Sequence, residues 1–376
     1  MSEVLRTVRL EEAEEFERFL ERCFGHGRGF FSRHHPDLAR AHEDVVDRYV
    51  VLELDGEIVS HVGTHPMEIV LGPARVRCGG IGGVATLPKC RGKGYMGRLL
   101  EDSIVRMRDK GMPLSALWGD QQRYGSYGWE KCGVAYTLGL NRRSLGWNKV
   151  EAAEVREIDP GGDEALDIVA LLHPTLDYRV ERPFLPLQLK RTGIRMFVGP
   201  DGYLIAGGDT GGDLRVQEVV SPTEREPELI LGAMDIVYAG TAYVEMGPCE
   251  GGRTDRLTAV MNWWNSHDQA MFRIIDWPAL LKAVAPVLAE AAKRTELAPF
   301  RAVYTCRWGE DVEHAAVEWD GSALRAEKAS APGEYAMDER LLVAAMLGGP
   351  QRGRGQLGPL GRLLPLPLHI PAMDRV

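Results

Sequence analysis

Between residues 9 and 24 the apolar positions Ala13, Phe16, Phe19, Leu20 and Phe24 fall on one stripe, with glutamates opposite. That spacing predicts an amphipathic helix, ended by the glycines of 25–29. Tyr49–Leu54 reads as a strand, Asp55-Gly56 as a tight hairpin turn, and 58–70 as the return strand, bent at Gly63 or Pro66. A Gly72-Pro73 turn leads into a third antiparallel strand over 75–86. Beyond a basic glycine loop, Met96, Leu99, Leu100, Ser103, Ile104 and Met107 share a helical face that stops at Gly111. Residues 114–118 read as a short buried strand, 119–129 as a short helix and turn, and 134–140 as a further strand.

The pattern then loosens. Residues 141–148 and the Asp159-Pro160-Gly161-Gly162 turn predict a boundary near 145. Residues 150–270 mix both periodicities, with strand-like 195–206 and 214–220, helix-like 254–264, and no second basic glycine loop. From Phe272 an Asp276-Trp277-Pro278 start opens an apolar helix through Val284, Val287 and Leu288. Strands over 302–308, 315–319 and 323–326 and a helix over 337–347 are expected to follow. The tail, Leu363-Leu364-Pro365-Leu366-Pro367-Leu368-His369-Ile370-Pro371, is too apolar for a free end and is expected to pack on the body. A chain of 376 residues exceeds one compact core, and these shifts divide it into units 1–145, 146–270 and 271–376.

Charge and cysteines narrow the class. A net charge of −9 argues against a general nucleic-acid or anionic-membrane binder and is compatible with cationic substrates. The six cysteines, Cys23, Cys78, Cys90, Cys132, Cys249 and Cys306, form no Cys-x-x-Cys pair and read as reduced thiols. Cys23 with His26 has ligand-like spacing but no second pair, and the adjacent His34-His35 project in different directions, so no metal is expected. The N-terminus lacks a signal-peptide core and no apolar run reaches the roughly 20 residues needed to span a bilayer. A cytoplasmic protein that is not anchored to a membrane is expected.

The stretch GGVATLPKCRGKGYMGRLL, 82–100, passes from strand through a basic glycine loop to a helix start. Such a terminus presents unpaired N–H groups and a partial positive charge to an anion. Gly92-Lys93-Gly94-Tyr95-Met96-Gly97 spells the dinucleotide fingerprint, but the strands before it read as an antiparallel meander and no acidic residue closes the next strand. No Ser or Thr follows Lys93, as a P-loop requires. The run Arg91-Gly92-Lys93-Gly94-Tyr95-Met96 instead resembles the acyl-CoA pyrophosphate loop of the GNAT superfamily of N-acetyltransferases, with Met96 where Gly or Ala is usual. Arg123-Tyr124-Gly125-Ser126-Tyr127-Gly128-Trp129 is similar to a segment of the Eis-like (enhanced intracellular survival) branch, whose first domain tolerates a large residue at the Met96 position.

The resemblance implies an α/β (α+β) architecture of two tandem GNAT-like domains and a sterol-carrier-protein-like domain. It implies acetyl-CoA as co-substrate, a primary amine of a polycationic small molecule (aminoglycoside-like or polyamine-like) as acceptor, and a homo-oligomer, a hexamer in the family. By the same resemblance, backbone groups of Val84, Ala85 and Thr86 would pair with pantetheine, and the amides of Gly92 to Gly97 would hold the diphosphate between Arg91 and Lys93. Gly119 and Asp120 would add cofactor contacts. Tyr124 would be the general acid, its phenol having a reference pKa of about 10 against about 8.5 for a thiol. Tyr127, where the family has Phe or Tyr, would pack. The general base would be the α-carboxylate of Val376, although this chain ends Asp374-Arg375-Val376 where family members often end in an aromatic residue. Asp37, Glu43 and Asp44 read either as lining an amine pocket or as a solvated helix face. Two other functions compete: a protein-lysine acetyltransferase, and an apolar-ligand binder whose GNAT part is vestigial.

Overall fold

A computed structural model describes residues 2–39, 46–207, 212–248, 252–349 and 353–376. Its first helix opens with a single 3-10 turn and continues as Ala13–Phe24, ending on Gly25 at φ 75°. Phe16 and Phe19 on its apolar stripe are fully buried. The strand β1 (Glu3–Thr7) precedes this helix and β2 (Tyr49–Leu54), β3 (Glu57–Leu71) and β4 (Ala74–Thr86) follow it, each antiparallel to the one before. Asp55 and Gly56 both take positive φ, 46° and 88°, which matches the right-handed twist of the hairpin they close. The expected bend in the return strand appears as a register shift between His61 and Gly63.

β5 (Leu114–Leu117) runs parallel to β4, and β6 (Glu130–Asn141) follows the short helix Gln121–Tyr124. The second stretch contributes β7 (Arg156–Ile158), β8 (Tyr178–Val180), β9 (Ile194–Gly199), β10 (Gly202–Gly207), β11 (Asp213–Val220), β12 (Thr241–Met246) and β13 (Trp263–Ile274). Among the described residues these strands form one sheet in the order β1-β2-β3-β4-β5-β13-β6-β12-β11-β10-β9-β7, with β8 on the edge of β3. β13 therefore fills the slot between β5 and β6, pairing antiparallel with both.

That strand corrects the helical expectation for 254–264. The helix ends at Val260, and Trp263 and Trp264 begin β13. The physical reason is tertiary: without β13 the facing edges of β5 and β6 would leave backbone groups unpaired. Trp263 lies over Gly139, where a Cβ would come within 2.4 Å of the indole. Aromatic residues suit such a pleated surface.

In the last stretch, Asp276 caps the helix Trp277–Arg294 by accepting from the Ala279 amide at 2.8 Å. A four-stranded sheet follows, ordered β16-β15-β14-β17, from β14 (Phe300–Trp308), β15 (Asp311–Trp319), β16 (Leu324–Lys328) and β17 (Tyr335–Asp338). Met337 and Asp338, expected in a helix, close β17 instead, and the helix is Glu339–Leu347. Trp277, Trp319 and Tyr304 fill this core, which is continuous with residues of β3, β4 and β5. The apolar tail packs as expected: Leu366, Leu368 and Ile370 are buried in the same core. Cys23, Cys78, Cys90, Cys132 and Cys306 are free thiols, and Cys249 lies outside the described residues. Among the described residues no helix is long and apolar enough to cross a membrane.

Candidate active site

The basic loop hands over to the helix Tyr95–Asp109 through Gly94, in the left-handed region at φ 80°, with Gly92 at φ 77°. Nothing lies within 4 Å of where their Cβ atoms would be, so the loop is open to a ligand. Arg98 N donates to Gly94 O at 3.3 Å. The amides of Tyr95, Met96 and Gly97 thus stand ahead of the first intrahelical bond and carry the positive end of the dipole. Arg91 is braced between two backbone carbonyls, Thr86 O at 3.2 Å and Cys23 O at 3.4 Å. A cleft of about 530 Å³ is lined by Val84, Ala85, Thr86, Arg91 to Gly97, Arg123 and Tyr127, with Cys23 and Phe24 at its wall. Open positive-φ glycines, unpaired helix amides and two cationic side chains fit a diphosphate. Burial pushes the Cys23 thiol up to about 11, opposed by Arg91 and Arg22, so this cysteine is a poor nucleophile at neutral pH.

Between cleft and core the sheet opens. The β4–β5 ladder runs from Cys78 opposite Leu114 to Ile81 opposite Leu117 and stops. Beyond it, Gly82–Thr86 pair only with β3, and Gly83 sits in a bulge at φ 63°. The edge of β4 that faced β5 is thereby left without a strand partner from Gly82 to Thr86, and of its groups the Thr86 carbonyl is held by Arg91.

The chain's end lies at the start of this opening. The carboxyl carbon of Val376 is 3.2 Å from where a Cβ on Gly82 would be, and its Cγ2 is 2.5 Å from the Cβ position of Gly80. His65 Nε2 comes within 3.4 Å of the same point above Gly82. Val376 and His65 line a second, narrower cavity with Asp37, Arg48, Phe184, Gln188 and Arg191. Burial, then Arg48, His61 and Arg191, lower the His65 pKa to about 3, so its imidazole is neutral at physiological pH. Asp37 is not a solvated helix residue: its carboxylate is gripped by both Nε and Nη2 of Arg191, at 2.8 and 2.5 Å. Glu43 and Asp44 lie outside the described residues.

The other site residues separate. Tyr127 lines the cleft, with its hydroxyl 2.4 Å from where a Cβ on Gly97 would sit. Tyr124 is 7% exposed, and its ring packs on Gly119, whose Cβ position is 2.4 Å from Cε2. Burial raises the Tyr124 pKa, opposed by Arg123. Gly119 thus acts as a platform for Tyr124. Asp120 caps the short helix, accepting from Gln122 N at 2.8 Å. Neither Gly119 nor Asp120 is among the residues lining the cleft. His34 packs tilted against Phe30 with ring centroids 4.4 Å apart, and among the described residues no cluster of three potential metal ligands occurs.

Sequence reasoning missed Gly80 and Gly82. Its available signal was four glycines in the six residues 78–83 of a strand, where glycine marks a close approach by backbone or ligand. Gly80→Ala is expected to displace Val376 and lower kcat by roughly 100-fold with an unchanged KM for acetyl-CoA, as steady-state kinetics would show. Gly97→Ala should do the reverse. A methyl against the Tyr127 hydroxyl disturbs the cradle, raising KM for acetyl-CoA roughly tenfold, equivalent to about 1.4 kcal/mol.

Residues 4–132 match the family model described as an acetyltransferase (GNAT) domain. Over these residues the chain is a GNAT acetyltransferase domain, and through that domain it is an enzyme of the acyltransferase class. Its whole length has the fold of a GCN5-related N-acetyltransferase from Kribbella flavida, at 19% identity and TM-score 0.73 over 100% of this chain and 98% of that one. A GCN5-related N-acetyltransferase from Anabaena variabilis is similar at 15% identity and TM-score 0.72, over 100% of both chains. Eis1 from Mycobacterium abscessus shares the fold at 14% identity and TM-score 0.62, over 93% of this chain and 90% of that one. The chain is therefore Eis-like in fold. No curated protein matches its sequence.

Proposed function

We propose that this chain transfers acetyl from acetyl-CoA to a primary amine of a polycationic small molecule, aminoglycoside-like or polyamine-like. The observation that carries the reading is the meeting of three features along one strand: the glycine cradle beyond Thr86, the parted β4–β5 ladder at Ile81, and the Val376 carboxyl group beside Gly82. We read 1–145 as the catalytic GNAT unit, 146–270 as a second GNAT-like unit without a cofactor loop, and 271–376 as sterol-carrier-like.

The amides of Gly92 to Gly97, with Arg91 and Lys93, would hold the diphosphate, and Val84, Ala85 and Thr86 the pantetheine arm. Acetyl-CoA, when bound, supplies the thioester as acetyl donor. Backbone N–H groups near Thr86 polarise its carbonyl oxygen. The acceptor ammonium is drawn to the Val376 α-carboxylate, which takes its proton. A free carboxylate has a reference pKa of about 3.5, and removal from water makes any carboxylate a stronger base. As the carbon–nitrogen bond forms and the carbon–sulfur bond breaks, the Tyr124 hydroxyl protonates the departing sulfur, and the nitrogen's second proton passes through solvent to restore the phenol. Asp37, Glu181 and Asp374 in the same cavity are each engaged by arginine, so acceptor charge is met by the α-carboxylate. A net charge of −9 supports a cationic acceptor.

The test is thiol release from acetyl-CoA across a panel of aminoglycosides, polyamines, simple monoamines and lysine peptides. Turnover on the first two classes is expected. Transfer to peptides alone would replace this reading with protein-lysine acetylation.

A further inference from the structure

Met373, Asp374 and Arg375 are held by the second unit, through a charged network that the cofactor cleft does not touch. Arg182, whose side chain is 2% exposed, forks onto Asp374 from Nε and Nη2, both at 2.8 Å. The same guanidinium bonds Glu218 from Nη1 at 2.9 Å and Nη2 at 2.7 Å. The Tyr203 hydroxyl donates to Glu218 at 2.6 Å, and Gln188 Nε2 to Asp374 at 3.4 Å. Arg191 Nη1 donates to the Met373 carbonyl at 3.0 Å, and Arg375 pairs with Glu245 on β12.

We propose that Arg182 is a positioning residue for catalysis: by clamping Asp374 it sets the Val376 α-carboxylate at the parting of β4 and β5. This rests on the reading of that carboxylate as the base. Two residues separate clamp and terminus, a reach of at most about 7 Å, so fixing Asp374 confines the carboxylate to the neighbourhood of Gly82. Stability alone is a poor account of the network. Burying an ion pair is often no better than packing apolar groups of the same size, and the tail already anchors Leu366, Leu368 and Ile370 in the core. What a bidentate guanidinium–carboxylate fork adds is orientation. Burial opposes the charge on Arg182, yet Asp374 and Glu218 outweigh it and hold the guanidinium protonated, so the fork persists across the working pH range. On this account the unit without a cofactor loop completes the catalytic site of the first.

The experiment uses the full chain carrying Arg182→Gln, Asp374→Asn, one glycine added after Val376, and each substitution combined with that addition. Either substitution alone is expected to lower kcat by roughly 100-fold while KM for acetyl-CoA stays near wild type, and Asp374→Asn, which keeps the Arg182–Glu218 pair, should also keep the melting temperature. In the lengthened chain neither should lower turnover further, because the group they position is already displaced. A loss that multiplies with the lengthening, or one that tracks a fall in acetyl-CoA binding and melting temperature, would mean a structural role and overturn the proposal. Should Arg182→Gln not fold, with Glu218 stranded in the core, Asp374→Asn keeps the Arg182–Glu218 pair and decides alone: unchanged kcat there overturns it. If lengthening leaves turnover intact, the carboxylate base itself has failed, a result distinct from failure of the clamp.

Discussion

One glycine added after Val376 is expected to lower kcat by roughly 100- to 10,000-fold while leaving acetyl-CoA binding intact, the range a general base commands. The addition turns the Val376 carboxylate into a neutral amide and moves the nearest carboxylate about 3.5 Å along the chain. That space is already contested, since Val376 abuts the backbone where Gly80 and Gly82 lack side chains. The Asp374 clamp and the Arg375–Glu245 pair prevent the tail from sliding back to compensate. The cradle is built from a different element, the start of the helix Tyr95–Asp109, so a binding isotherm for acetyl-CoA should overlay that of the native chain. Undiminished turnover in the lengthened protein would remove Val376 from the mechanism. His65 would then be the remaining group at that point above Gly82, handicapped by a pKa pressed down to about 3.

The shape of the glycine loop was legible because its signals are local. Glycines at 92 and 94, flanking cations and an apolar helical stripe starting at Met96 all lie within one short run of chain, and backbone sterics leave them few conformations. Asp55-Gly56 and the Asp276 cap were legible for the same reason. What stayed hidden depends on partners far away in sequence. Nothing near Trp263 and Trp264 announces that a slot between β5 and β6 awaits a strand, so helical spacing won there. The sequence left Asp37 between a pocket wall and a solvated helix face, and the choice needed Arg191, 154 positions away. The glycines at 80 and 82 carried a signal, but their meaning needed the chain terminus, 294 positions beyond Gly82, to be brought alongside. Tyr124 and Tyr127, three residues apart, were separable only in outline. A short helix followed by a 3-10 turn sends one ring inward onto Gly119 and the other to the cleft.

That separation sets up the second large effect. Tyr124→Phe is expected to lower kcat by roughly 100-fold at neutral pH, within the range for a lost general acid, with little change in stability. The ring that fills the space over Gly119 is retained, and only the hydroxyl is removed. Burial pushes the Tyr124 phenol above its ordinary pKa near 10, so the group stays protonated at neutral pH and its loss of activity on deprotonation falls above that value. In Tyr124→Phe this alkaline limb should vanish from the kcat profile. The defect should also shrink as the acyl donor's thiol is made more acidic, because a thiolate that leaves readily needs no proton. Tyr127→Phe should behave otherwise. Its hydroxyl stands over Gly97 in the diphosphate cradle, so its removal is expected to raise KM for acetyl-CoA by a few fold, an effect of about 1 kcal/mol, and to leave the donor-thiol dependence of kcat unchanged. If instead Tyr127→Phe shows the leaving-group dependence and Tyr124→Phe does not, the acid is the tyrosine that faces the cleft, and Tyr124 is a core residue that shapes the turn.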